Sequence, residues 1–187
     1  MKLLSCDIPG ENNIKLSDGY LSLKVKSEKY VDKEFTGATI SSKVCFKSCR
    51  VEIRAKGAVG KFLRSTIFMM SHANGCNTGQ RKGQVDIAKL NHFDKGSVNF
   101  DLYYGERDIE TVLHLRQANI YSLNIRDFHV YGIEWNSSSL TIFFNDRILY
   151  QSNHYIDEYG NRLRESSQRL YLPFDNPFNL MLTIGVG

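Results

Sequence analysis

The chain has 187 residues, 42% of them hydrophobic and 12% aromatic, with a formal net charge of +4. That size and composition describe one folded domain with a substantial core, and three prolines and fourteen glycines leave no room for a disordered, fibrous or linker-rich chain. The basic residues are spread among acids, and even the group Arg162, Arg164 and Arg169 is interrupted by Glu165, which argues for a solvated surface and against nucleic-acid binding.

In chain order, Met1-Lys2-Leu3-Leu4 starts like a secretory leader. Ser5, Cys6 and Asp7 stop it before the roughly 7–15 apolar residues that a leader core needs. No run approaches the roughly 18 apolar residues of a membrane span, so neither an export signal nor an anchor is expected. Residues 19–26 alternate cleanly after the turn formers Ser17, Asp18 and Gly19. Residues 37–44 are small and β-branched. Residues 49–56 set Val51, Ile53 and Ala55 against Glu52, Arg54 and Lys56. Residues 62–70 are nearly all apolar, as in a strand buried on both faces. A Gly/Asn loop over 71–83 leads into a strand in which Val85 and Ile87 oppose Gln84, Asp86 and Ala88.

Residues 97–104 place Val98, Phe100, Leu102 and Tyr104 on one face, with Asn99, Asp101 and Tyr103 on the other. Residues 128–135 and 140–144 read as a hairpin joined by 136–139. Asn145-Asp146 turns into a strand over 147–150, residues 153–167 form a polar loop or short helix, and 178–186 is a last apolar strand. Short strands at regular spacing, with no helical period and no internal repeat, predict an all-β sandwich or barrel.

The four cysteines, Cys6, Cys45, Cys49 and Cys76, fit no paired zinc spacing. Cys45 and Cys49 are too far apart along one strand to bridge each other, so the alternatives are a bridge from Cys6 or Cys76 to one of them, or free, partly buried thiols. His72, His92, His114, His129 and His154 are scattered without ligand spacing, so neither a metal nor a cofactor is expected. Trp135, the one tryptophan, shares an alternating face with Tyr131 and Ile133 and belongs in a core. Asn136-Ser137-Ser138 is a glycosylation sequon on a turn.

Taken in order, several segments resemble glycoside hydrolase family 16, the laminarinases, lichenases and β-1,3-glucan recognition proteins. They are residues 13–21, 35–43, 50–56, 84–89, 128–135 through 144–147, and 174–180. The resemblance implies a concanavalin A-like β-jelly roll over 1–187, built of two antiparallel sheets and lacking the family's C-terminal strands, so that either the chain is a fragment or a sandwich edge is left unpaired. It also implies a β-glucan or related oligosaccharide as partner and an extracellular setting. The glycan, its linkage and the oligomeric state are not written in the chain.

The family's catalytic strand reads Glu-Ile-Asp-Ile-Glu, or Glu-Ile-Asp-Ile-x-Glu with a bulge. By that resemblance Gln84 stands at the nucleophile and Asp86 at the central acid. Ala88 takes the acid/base position in the straight register, and Lys89 takes it in the bulged one. A retaining glycosidase needs two carboxylates about 5–5.5 Å apart. A neutral amide cannot stabilise an oxocarbenium ion as a carboxylate does, and an ammonium beside it has the wrong sign. Residues 63–67 also lack the family's Trp-Pro platform. The expectation is a degenerate hydrolase whose cleft binds sugar through Glu52, Arg54, Asp86, Asp101 and Tyr103. Two alternatives stand beside it: an active hydrolase with carboxylates relocated among Glu52, Asp86 and Asp101, and a decayed domain without ligand. The plainer reading of Asp86 is a leftover ion pair with Lys89 or Arg54, and of Glu52 and Arg54 an ordinary polar sheet face.

Overall fold

A computed structural model describes residues 5–7, 12–71, 81–91, 97–106, 117–120, 123–136, 139–152 and 177–187. Fourteen strands occupy them. The first seven are β1 (Ser5–Asp7), β2 (Ile14–Ser17), β3 (Tyr20–Leu23), β4 (Lys26–Tyr30), β5 (Lys33–Ser41), β6 (Cys49–Ala55) and β7 (Leu63–Met70). The rest are β8 (Arg81–Asn91), β9 (Ser97–Glu106), β10 (Gln117–Ile120), β11 (His129–Trp135), β12 (Leu140–Phe144), β13 (Arg147–Ser152) and β14 (Asn179–Val186). Among the described residues there is no helix. The polar stretch over 153–167, most of the loop over 71–83, Cys76 and four of the five histidines lie outside them.

The strands form two layers. A large sheet runs β1-β5-β14-β7-β8-β9-β10, with β4 added on β5, and a small one runs β13-β12-β11-β6. Pairing is antiparallel except between β1 and β5. The expected jelly-roll sandwich is therefore present. Its core lies between the layers: Ile67, Met69, Val85, Phe100 and Leu102 from the large sheet meet Tyr131, Ile133, Trp135 and Ile142 from the small one. Trp135 is 3% exposed and sets its ring edge-on against Phe178, as a core residue should. The alternating strands of the two layers turn their apolar sides inward because burying a Leu, Ile or Phe side chain is worth about 1.5–3 kcal/mol; β3, which also alternates, stands outside the layers and leaves Leu21 43% exposed.

The chain reverses at two left-handed corners that the sequence marks. Asp18 and Gly19 have φ of 53° and 76° between β2 and β3, and Asn145 and Asp146 have φ of 45° and 64° between β12 and β13. Two successive positive φ values match the right-handed twist of the flanking strands, which favours Asn, Asp and Gly there. The β2–β3 hairpin stands apart from both sheets. Buried Asn13 ties its base to Thr36 and Gly37 of β5, and Tyr20 at its tip stacks on Phe128.

Three strands have no counterpart in the sequence reading: β1, β4 and β10. The run at 63–70 is less uniformly buried than its apolarity suggests, because Arg64 points to solvent from the large sheet's outer face. Of the cysteines, Cys45 is disulfide-bonded and Cys49 is a free thiol. Cys49 faces inward from β6, and burial pushes its thiol up.

Candidate functional site

The bulge settles which residue follows Asp86 on the outer face of the large sheet. Asp86 lies opposite Asp101 and Lys89 opposite Asn99, so Ile87 and Ala88 together span the single residue Phe100, a bulge of one extra residue. Both are buried in the core, at 2% and 0% exposure. The extra residue restores Lys89 to the side of Gln84 and Asp86. Of the two registers the sequence left open, the bulged one is adopted: Lys89, and not Ala88, shares the face with Asp86.

Strand β9 contributes Asn99, Asp101 and Tyr103 to the same face, and β7 contributes Thr66 and Phe68 through its register with β8. Lys89 is the centre of the group. Its Nζ donates to Asp101 Oδ2 at 2.7 Å and to Tyr103 Oη at 2.6 Å, and sits 4.8 Å from the Tyr103 ring centroid. It also lies 2.6 Å from Asp86 Oδ2. That contact is an ion pair rather than an aligned hydrogen bond, so Asp86 Oδ2 is buried without a well-directed donor. Gln84 Nε2 donates to the other oxygen, Asp86 Oδ1, at 2.7 Å.

The electrostatics follow from burial. Asp86 is fully buried and Asp101 is 5% exposed, and they face each other directly across two strands. Like charges so placed repel. Burial pushes the Asp86 carboxyl up; Lys89 and Gln84 pull it back, and Asp101 raises it again. For Lys89 burial acts downward. Its hydrogen bonds to Asp101 and Tyr103 and its ion pair with Asp86 outweigh it and hold the ammonium above the usual lysine range. Burial likewise raises the Tyr103 phenol. The arrangement is one lysine side chain shared by Asp86, Asp101 and the Tyr103 phenol.

Glu52 and Arg54 are not part of this face, contrary to the sequence expectation. Strand β6 belongs to the small sheet and pairs with β11. Its apolar residues Val51, Ile53 and Ala55 pack inward on the core, so Arg50, Glu52 and Arg54 look out on the far side of the sandwich. Alternation reveals that Glu52 and Arg54 share a face with each other, but not which layer that face belongs to. There Arg50 pairs with Glu52 and, at 3.2 Å, with Glu134, while Arg54 lies 4.3 Å over the Phe128 ring. The ion pair between Asp86 and Arg54 raised as a plain reading is thereby excluded; the one with Lys89 is present.

Two contributors escaped the sequence reading. Phe68 is nine-tenths buried on the site face beside Asp86, and only its register with β8 shows this. Thr183 of β14 shares a 2.7 Å hydrogen bond with Thr39 of β5, further along the same face. No periodic signal marks either.

Residues 6–184 match the family described as Glycosyl hydrolases family 16. The chain is 28% identical over 185 residues to a Beta-glucanase of Rhodothermus marinus, covering 94% of this chain and 61% of that protein. It is 24% identical over 192 residues to a Glucan endo-1,3-beta-glucosidase of Cryptopygus antarcticus, covering 94% and 66%. The chain thus spans about two thirds or less of these curated relatives. Among solved structures, LamAcat from Zobellia galactanivorans superposes with a TM-score of 0.77 at 25% identity, over 99% of this chain and 74% of that one. The laminarinase from Rhodothermus marinus gives 0.75 at 24%, over 100% and 74%.

Proposed function

Since the chain belongs to glycosyl hydrolases family 16, we propose that the outer face of its large sheet holds a β-glucan chain without cleaving it. One observation carries this reading. The Lys89 ammonium lies within 2.7 Å of Asp86, Asp101 and Tyr103, where a hydrolase of this family would need a carboxylic acid. A cation there opposes the positive charge that develops on the sugar in the transition state. Gln84, the other position of the pair, is an amide held by Asp86. Loss of both groups leaves binding as the main remaining capacity.

The same side chains suit sugar recognition. Carboxylates, an ammonium and a phenol can bridge hydroxyls, and the Tyr103 ring offers an apolar face for a pyranose. Glu52 and Arg54 are left out of this reading, because they stand on the opposite layer. The disulfide at Cys45 supports an extracellular setting, where such bonds persist.

An active hydrolase is the second reading, and the direct opposition of Asp86 and Asp101 is what favours it. Proton NMR of a β-1,3-gluco-oligosaccharide over a day separates the two. Saturation transfer to the ring protons with no new reducing-end signals supports binding alone. Reducing-end signals that grow with protein concentration and vanish in Asp101→Asn would establish hydrolysis. In the binding reading, the double variant Gln84→Glu with Lys89→Glu is expected to gain turnover that the wild type lacks.

A further inference from the structure

The side chains that carry the sugar reading are mostly polar, and a pyranose also needs an apolar surface for its C–H face. On the outer face of the large sheet, the register shows where one lies. Phe68 of β7 stands opposite Asp86 of β8 on one side and Met181 of β14 on the other. Two residues on, Met70 stands opposite Gln84. Met181, Phe68 and Met70 therefore share one face and border the Lys89 cluster along β8.

Exposure separates the three. Phe68 is 9% exposed and offers no open ring face. Met70 and Met181 are both partly exposed, whereas Met69 points into the core at 1%. The outward phase of Met181 is fixed by its neighbours, since Leu180 and Leu182 pack on the core. Across the cluster on β9, the Tyr103 ring already has the Lys89 ammonium 4.8 Å from its centroid. Two thioether side chains are thus the aliphatic surface that a ligand meets beside the polar groups.

We propose, resting on the glucan-binding reading above, that Met70 and Met181 form the floor on which a pyranose ring lies while the polar cluster takes its hydroxyls. A thioether is polarisable and unbranched, so it follows the uneven C–H face of a sugar where a rigid ring would not. That choice of floor has a chemical consequence. Hydrogen peroxide gives one oxygen atom to the thioether sulfur and departs as water; the sulfur loses two electrons and becomes a polar sulfoxide. Sugar binding at this face is thereby open to loss by oxidation, while Met69 is shielded in the core.

The test labels the methionine methyls with carbon-13 and titrates the protein with a β-1,3-gluco-oligosaccharide, using Met70→Leu and Met181→Leu to assign the signals. Saturation transfer to the sugar reports binding anywhere on the protein, and the methyl shifts report where. The Met70 and Met181 methyls are expected to move and the Met69 methyl to stay in place. Met70→Ala and Met181→Ala should each weaken binding about fivefold, the scale of one thioether contact, and the leucine variants, which keep the volume, within about twofold. If an alanine variant folds poorly, oxidation of the wild type answers instead. Limited hydrogen peroxide should convert Met70 and Met181 before Met69, read by peptide mass spectrometry, and lower affinity about tenfold; the double leucine variant should keep its affinity after the same treatment. Saturation transfer without movement of either methyl would overturn the floor and leave the glucan reading standing, as would full affinity after both sulfoxides form. No saturation transfer at all would overturn the glucan reading, and this inference with it.

Discussion

The two outer faces of the sandwich each carry a charged cluster built from the same side-chain chemistry, and solvent separates them. On the large sheet, Lys89 is shared by Asp86 and Asp101, both nearly fully buried. On the small sheet, Arg50 is shared by Glu52 and Glu134, and all three side chains are about half exposed. In water, an ion pair gains little over the hydration it replaces. Away from water, two carboxylates on opposite strands cannot both stay charged without a cation. The first cluster is consequently a fixed device, and the second is ordinary surface.

Removing the cation from each cluster exposes that difference most sharply. Lys89→Met leaves Asp86 facing Asp101 and should cost about 3 kcal/mol at pH 7, the low end for a broken buried pair because Lys89 is partly exposed. The loss should show a pH dependence of defined sign. Without Lys89, the folded pKa of the carboxylate pair, already raised at Asp86, rises further above its unfolded value. Stability is then retained below the unfolded carboxylate range and lost as pH climbs through the raised value. Thermal melts of the variant should accordingly approach wild type near pH 4 and fall away toward pH 7; a deficit independent of pH would count against the coupled pair.

Gly132 sharpens the comparison from the other face. A Cβ there would meet Val51 O at 3.2 Å and Glu52 Cγ at 3.2 Å, and the backbone oxygen cannot swing aside. Gly132→Ala should therefore cost about 1 kcal/mol or more in a denaturant titration. Steric fit, not charge, would then be the demanding feature of the small sheet's surface. The smallest effect is reserved for Arg50→Ala, which should leave the melting temperature unchanged within error at moderate salt. A clear destabilisation would show that exposure alone does not rank the two clusters.

The sequence made the alternation legible and left the layering hidden. Val51, Ile53 and Ala55 announce an inward face for β6, and Val98, Phe100 and Leu102 do the same for β9. Which sheet each strand joins depends on pairings far apart in the chain, such as Gly132 with Glu52. Glu52 and Arg54 were therefore expected beside Asp86 and lie on the opposite layer. The bulge at Ile87-Ala88 was readable only as two alternatives, because both residues are apolar and either register buries one of them. Strand β10, the short residues 117–120, has too little alternation to announce itself.

The most direct measurement is a crystal structure of the protein soaked with a β-1,3-gluco-oligosaccharide. An intact chain is expected on the outer face of the large sheet, its hydroxyls bonded to Lys89 and Asp101 and one pyranose against Tyr103. A cleaved product at that face, or sugar bound only elsewhere, would contradict it.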